Sequence, residues 1–183
     1  MGNFATGKIK IMEEILNQFQ PITLAEMSGV KLMNRTDTKF VTTMPLVEQL
    51  LLMARDDYFA QEIGGERNML YDTTYFDTFD FAMYRQHQRG YTGRQKIRFR
   101  TYVSSNLQFM EVKTKNNHGR TKKKRIEVTD MDLSDPTKRE FLAQVLRFDV
   151  DQLQAHTHNY FHRVTLVNKA KTERLTIDTQ LEF

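Results

Sequence analysis

The chain contains no cysteine. Disulfides, thiolate metal sites and a cysteine nucleophile are therefore excluded, and the absence fits a reducing compartment. Tryptophan is also missing, so a stacking platform for nucleic acid would have to rely on other aromatics, Tyr102 first among them. No apolar run is long enough to span a bilayer. The N-terminal stretch carries Glu13 and Glu14 where a signal peptide would be apolar. There is no glycine-rich phosphate loop and no serine elbow between a strand and a helix. These absences favour a soluble cytoplasmic domain, with any membrane-protein partner lying outside this chain.

What is present suits a globular protein. A length of 183 residues can bury a sizeable core and suggests one domain over 1–183. Hydrophobic residues at 39% are too many for a disordered chain. The 27 Lys and Arg against 23 Asp and Glu leave a net charge of only +4, so the position of the cations matters more than their excess.

An apolar stripe of Ile11, Ile15, Leu16 and Phe19 predicts a helix within 8–28. Pro21 breaks it before a short helix around Leu24–Met27. The alternating "NRTDTKFVTT" predicts a strand. Thr43 and Pro45 then mark the start of a helix with Leu46, Val47, Leu50, Leu51 and Ala54 on its buried side. Gly64-Gly65 predicts a turn, and "MLYDTTYF" a strand. A short helix ends at Gly90, and strands follow over 94–102, 107–115 and 121–128. Ser134 or Asp135 caps the helix in "LSDPTKREFLAQVLRF", with Pro136 at its first position. Two strands, 159–168 and 171–179, end the chain. Helices inserted among antiparallel hairpins make this an α+β chain, and so many hairpins suggest a curved sheet or a closed barrel.

Residues two apart on a strand share a face. In "RQKIRFRTY", Arg98 and Arg100 point one way and Ile97 and Phe99 the other. In "FMEVKTK", Phe109, Glu111, Lys113 and Lys115 oppose Met110 and Val112. In "KKKRIEV", Lys123, Arg125 and Glu127 oppose Ile126 and Val128. In "RLTIDT", Arg174, Thr176 and Asp178 oppose Leu175 and Ile177. Arg35, Asp37 and Lys39 lie together, and "YFHRVTL" sets Arg163 opposite His162 and Tyr160.

Two readings fit this sorting. For any one strand the default is a charged face in water. Alternatively the sheet closes and the charged face lines its interior. Two like charges ~4 Å apart cost about 4 kcal/mol at an effective dielectric of ~20. An interior ring of cations therefore needs acids and a polyanion to neutralise it. Asp37, Glu111, Glu127 and Asp178 suit either reading. Arginine forks match phosphate oxygens, and lysine acts as a point charge. Periodicity leaves both readings open.

The ordered segments "NRTDTKF", "YFDTFDFAMYRQH", "RQKIRFRTY", "FMEVKTK", "KKKRIEV", "NYFHRV" and "RLTIDTQLEF" resemble the vacuolar transporter chaperone (VTC) domain. This is the polyphosphate polymerase branch of the CYTH-like triphosphate tunnel metalloenzymes. The resemblance runs from about Asn34 to Phe183. It implies an antiparallel β-barrel tunnel with helices outside. The tunnel would bind ATP, polyphosphate or another triphosphate, and a divalent metal, Mg²⁺ or Mn²⁺, would assist phosphoryl transfer. Carried over by motif, Lys39, Arg98, Arg100 and Lys113 are the expected catalytic cations. Together with Lys123, Arg125, Arg163 and Arg174 they are also the expected substrate-binding set. Glu111 is the expected metal contact.

Two departures stand out. The acids that open CYTH-type sequences are replaced by Arg35-Thr36-Asp37-Thr38-Lys39, which favours the VTC branch. Family members also continue into a further strand with a metal-binding glutamate and a lysine, so C-terminal strands are expected to be missing here. The leading expectation is a polyphosphate polymerase or triphosphatase. A non-catalytic module that binds or senses polyphosphate or inositol phosphate is the alternative, and a nucleic-acid-binding β-domain ranks behind it. His156 and His158 in "AHTHNYFH" lack a third ligand at convincing spacing, so no histidine metal site is expected.

Overall fold

A computed structural model describes residues 10–27, 38–116 and 121–183. The elements in chain order begin with α1 (residues 10–16), β1 (Gln20–Ile22), α2 (Leu24–Met27), α3 (Met44–Ala54) and β2 (Tyr58–Gln61). They continue with β3 (Asn68–Thr78), α4 (Ala82–Gln88), β4 (Gln95–Tyr102), β5 (Leu107–Lys115) and β6 (Thr121–Val128). The last are α5 (Pro136–Val145), β7 (Leu153–Asn168) and β8 (Arg174–Glu182). Two compact units result. The first is Met1–Met69 with His162–Thr179, and the second is Leu70–Phe161 with Gln180–Phe183. The division falls within β3, β7 and β8.

In the first unit β1 runs parallel to β2, and β2 pairs antiparallel with the end of β7, Tyr58 opposite Asn168. Its core joins Met12, Ile15, Leu16 and Phe19 to Val47 and Leu51 of α3, and to Val164, Leu166 and Ile177 of the strands. The expected stripe holds at Ile15, Leu16 and Phe19, but Met12 is buried in place of Ile11, which is exposed. Likewise Leu46 and Leu50 of α3 stay exposed, and Val47 and Leu51, one turn apart, face the core. Arg67 fastens the end of α1. Its Nη1 donates to the carbonyls of Leu16 at 2.6 Å and Phe19 at 3.0 Å, and its Nε donates to Glu62 at 2.8 Å. A helix C-terminus leaves such carbonyls without partners, so a cation there is favourable.

The strand expected in "NRTDTKFVTT" falls partly on 34–37, outside the described residues. Its described part, Thr38–Thr43, has no regular secondary structure, and Phe40 and Val41 are exposed. Alternation makes a strand only where a neighbour supplies hydrogen bonds. Strand β7 starts six residues before the expected position. The last strand begins later than expected, because Asn168 Oδ1 accepts from the Thr172 and Glu173 amides and draws 169–173 into the turn.

The second unit contains the antiparallel array β3-β4-β5-β6 and the first part of β7. Strands β4, β5 and β6 lie where the sequence places them, to within one residue. Tyr75 is opposite Arg98, Arg98 opposite Glu111, and Glu111 opposite Arg125. Ile97, Phe99, Met110 and Val112 are almost wholly buried with Phe76, Met83 of α4 and Leu142 of α5. The apolar face of the array thus lies beneath helices, as expected. Gln95 ties β4 to the end of α5: it donates to Thr114 Oγ1 and to the Val145 carbonyl, and accepts from the Arg147 amide.

Asp135, not Ser134, caps α5, accepting from the Lys138 amide at 2.9 Å. Ser134 instead donates to Asp132. Losing such a cap costs about 1 kcal/mol. Asp135→Ala is therefore expected to lower the unfolding free energy by that amount, read as a lower urea midpoint with the m-value unchanged. An unchanged midpoint would show that the cap does not hold the helix.

Candidate functional site

The polar face of β3–β6 carries the cations that the motifs single out, and its centre is buried while its β6 side is exposed. Arg98 and Arg100 retain 9% and 6% of their surface, so they are not a solvated fringe. At their centre is Glu111, which is fully buried. Arg98 reaches Oε2 of Glu111 with Nε at 2.7 Å and Nη2 at 2.6 Å. Lys123 donates to Oε1 at 3.0 Å. Burial alone would raise the pKa of Glu111. The Arg98 guanidinium and the Lys123 ammonium outweigh it and hold the carboxyl at about 2.

Arg100 is held differently. Its Nε donates to Thr73 Oγ1 at 3.1 Å, and its guanidinium lies over the rings of Tyr71 at 5.0 Å and Phe161 at 5.6 Å. Ring faces attract cations but supply no counter-charge. Burial, and then the charge of Arg98, lower the pKa of Arg100. Arg125 lies over Phe109 at 4.3 Å. Lys113 sits in direct register between Lys96 and Lys123, three lysines across three strands. Burial, followed by Arg98, pushes its pKa down to about 8, although Glu111 opposes the shift. Around one buried carboxylate, Arg98, Arg100, Lys113 and Lys123 leave this face short of negative charge.

Sequence reasoning missed the aromatic and hydroxyl groups that hold these cations. Tyr75 accepts from Arg98 Nη1 at 3.4 Å, and Thr73, Tyr71 and Phe161 surround Arg100. The signal was available in the alternation of "YDTTY", which places Tyr71, Thr73 and Tyr75 on one face. The remaining expected cations belong to the first unit. Lys39 is exposed in the irregular stretch before α3. Arg163 is held by Asp178, with Nε at 2.5 Å and Nη2 at 2.6 Å from its carboxylate oxygens. Arg174 is exposed at the start of β8.

The VTC domain pattern matches residues 34–183. The chain belongs to the VTC domain family. Among solved structures, this VTC domain is similar to a "putative adenylate cyclase" from Bacillus halodurans, with 15% identity, a TM-score of 0.56, and coverage of 80% of this chain and 72% of that one. A "putative adenylate cyclase" from Vibrio parahaemolyticus gives 12% identity and a TM-score of 0.39, over 61% of this chain and 52% of that one. No curated protein matches the chain significantly. The family match agrees with the resemblance that the motifs carry, and the first of these structures shares the fold.

The donor set does not fit a metal held at Glu111. Both carboxylate oxygens are turned to Arg98 and Lys123, and Lys113 is close by, so a divalent ion there would meet three cations. Among the described residues, no group of three or more His, Asp or Glu is placed to hold a metal ion. His158 instead contacts Asp72 at 2.7 Å, and His156 contacts the Thr78 carbonyl at 3.0 Å.

Proposed function

We propose that this VTC domain is a triphosphate-processing phosphoryl transferase of the polyphosphate polymerase type. ATP or polyphosphate would bind on the basic face of β4, β5 and β6. One observation carries the reading: Arg98, Arg100, Lys113 and Lys123 surround a single buried carboxylate, and a polyanion would supply the missing negative charge. Phosphoryl transfer calls mainly for charge neutralisation and alignment. Arg98, fixed by Glu111 and Tyr75, presents its guanidinium at a set angle. Arg100 and Lys113, which form no carboxylate ion pair among the described residues, meet the phosphate oxygens directly. Their charge would stabilise oxygens that become more negative as the bond breaks. Mg²⁺ or Mn²⁺ would arrive with the phosphates, and no step is assigned to a metal held by the protein.

The occupied oxygens of Glu111 favour a second reading, a polyphosphate- or inositol-phosphate-binding module without turnover. Incubation with ATP and Mn²⁺ separates the two. Polyphosphate or released phosphate supports the enzyme, and tight polyphosphate binding without product supports the module. If neither product nor binding is seen, and Lys113→Ala changes nothing, both readings fail.

Lys113 adds a pH signature. In the free protein its ammonium is disfavoured above about pH 8, and a bound polyanion raises its pKa. Binding near pH 8 should therefore take up protons, and affinity should fall as pH rises through 8. Calorimetry in buffers of different ionisation enthalpy measures the uptake. Lys113→Met should remove it, and uptake that persists in this variant would rule out Lys113 as its source.

A further inference from the structure

We infer that α3 is the interface of a homodimer, in which two copies of this chain pair their α3 helices antiparallel about a two-fold axis near Gln49. The inference is independent of the anion site and rests on the outward side of one helix. A helix on the surface of a globular protein normally turns charged residues to water. The outward side of α3 carries none. Val47 and Leu51 face the core, whereas Pro45, Leu46, Gln49, Leu50, Leu52 and Met53 are exposed. At 3.6 residues per turn these six fill the arc opposite Val47 and Leu51. The helix has a single charged residue, Glu48, which is half-buried at the flank of that arc.

The area is large enough to matter. Phe40 and Val41, just ahead of the helix, are also exposed. With Leu46, Leu50, Leu52 and Met53 they offer roughly 700 Å² per copy, above the largest apolar patch of a typical monomer and near the roughly 800 Å² per partner of a standard interface.

The face is complementary to itself. Gln49 lies at the middle of α3 and at the centre of the outward arc. A two-fold axis there sets two carboxamides opposite each other, and each can both donate and accept. In an antiparallel pair, the residues that follow one helix meet the N-terminus of the other. Those residues are Asp56 and Asp57, and a helix N-terminus attracts carboxylates. Thr43, which precedes α3, makes no side-chain cap bond, so its own side chain does not fill that end. A two-fold contact uses one patch twice, so an apolar face needs no second surface to match it. A lipid surface fits less well, because it favours a cationic border around an apolar helix face. Here Glu48, Asp56 and Asp57 outnumber Lys39 and Arg55.

Analytical ultracentrifugation over about 1–500 µM tests the pairing. Wild type is expected to dimerise with a dissociation constant of roughly 10–100 µM, in keeping with the modest area. Gln49→Glu and Gln49→Lys each bring two like charges together at the axis and should weaken the dimer at least about tenfold. Gln49 is exposed, so both variants should keep the wild-type Tm. Mixed in equal amounts, they should form a heterodimer at least as tight as the wild-type dimer. Loss in each variant with recovery in the mixture is the signature of a two-fold contact at Gln49. A wild type that stays monomeric, a dimer that both variants keep, or a mixture that stays monomeric would overturn the interface. Binding of a monomeric wild type to phosphatidylcholine vesicles, lost in Met53→Glu, would overturn it as well and assign the face to a lipid surface.

Discussion

Replacing Glu111 with alanine is expected to lower the unfolding free energy by about 3–5 kcal/mol, the usual cost of removing one partner from a buried ion pair. For a chain of this size that is a fall of very roughly 6–20 °C in Tm. The reason is local. Glu111 is the fully buried acceptor of three contacts, two from Arg98 and one from Lys123. Without it, Arg98 is buried opposite nothing and faces Lys113 and Arg100. The pH dependence of the wild type should report the same interaction. The folded carboxyl titrates at about 2, below its ordinary 4.5. A depressed folded pKa stabilises above the unfolded value, and that stability is lost as pH falls through the folded one. The contribution is therefore complete above about 4.5 and fades towards 2. Glu111→Gln should show a shallower acid slope over this window. Thermal melts from pH 7 to pH 2 measure both effects. An alanine variant as stable as wild type would mean that water, not Glu111, balances these cations.

Arg100→Met should do the opposite. Stability is expected to hold or to rise by up to ~2 kcal/mol, because an apolar side chain of similar length replaces a buried charge with no carboxylate partner. Tripolyphosphate affinity should fall about 10- to 100-fold, the worth of one or two charged hydrogen bonds. A paired denaturation and binding measurement decides the point. If affinity survives and stability drops, Arg100 is a packing residue held by Tyr71 and Phe161. The two variants thus separate the role of the carboxylate from that of the arginine. Glu111 holds the face together, and Arg100 is held ready for an anion.

The strands of the second unit were legible because their signals are local. Alternation in "RQKIRFRTY", "FMEVKTK" and "KKKRIEV" sets two faces on each strand, and the polar turns between them set the hairpins. The cap of α5 was legible to within one residue for the same reason. The first unit was harder to read. Leu46 and Leu50 of α3 look as suited to a core as Val47 and Leu51. Only the docking of α3 on β2, β7 and β8 selects between them. "NRTDTKFVTT" alternates too, but Thr38–Thr43 forms no strand, because alternation states what a strand would need and not whether a partner is present.

The site divides in the same way. Alternation places Arg98, Arg100, Glu111, Lys113, Lys123 and Arg125 on one side of consecutive strands, since a period of two is a property of the backbone. Tertiary packing alone buries Arg98, Arg100 and Glu111, seats Glu111 between Arg98 and Lys123, and brings aromatic rings to Arg100. Burial and register depend on residues far apart in the chain: Tyr71 and Phe161 meet over Arg100 although ninety positions separate them. No local pattern encodes that meeting, and it turns a row of cations into a site that calls for an anion.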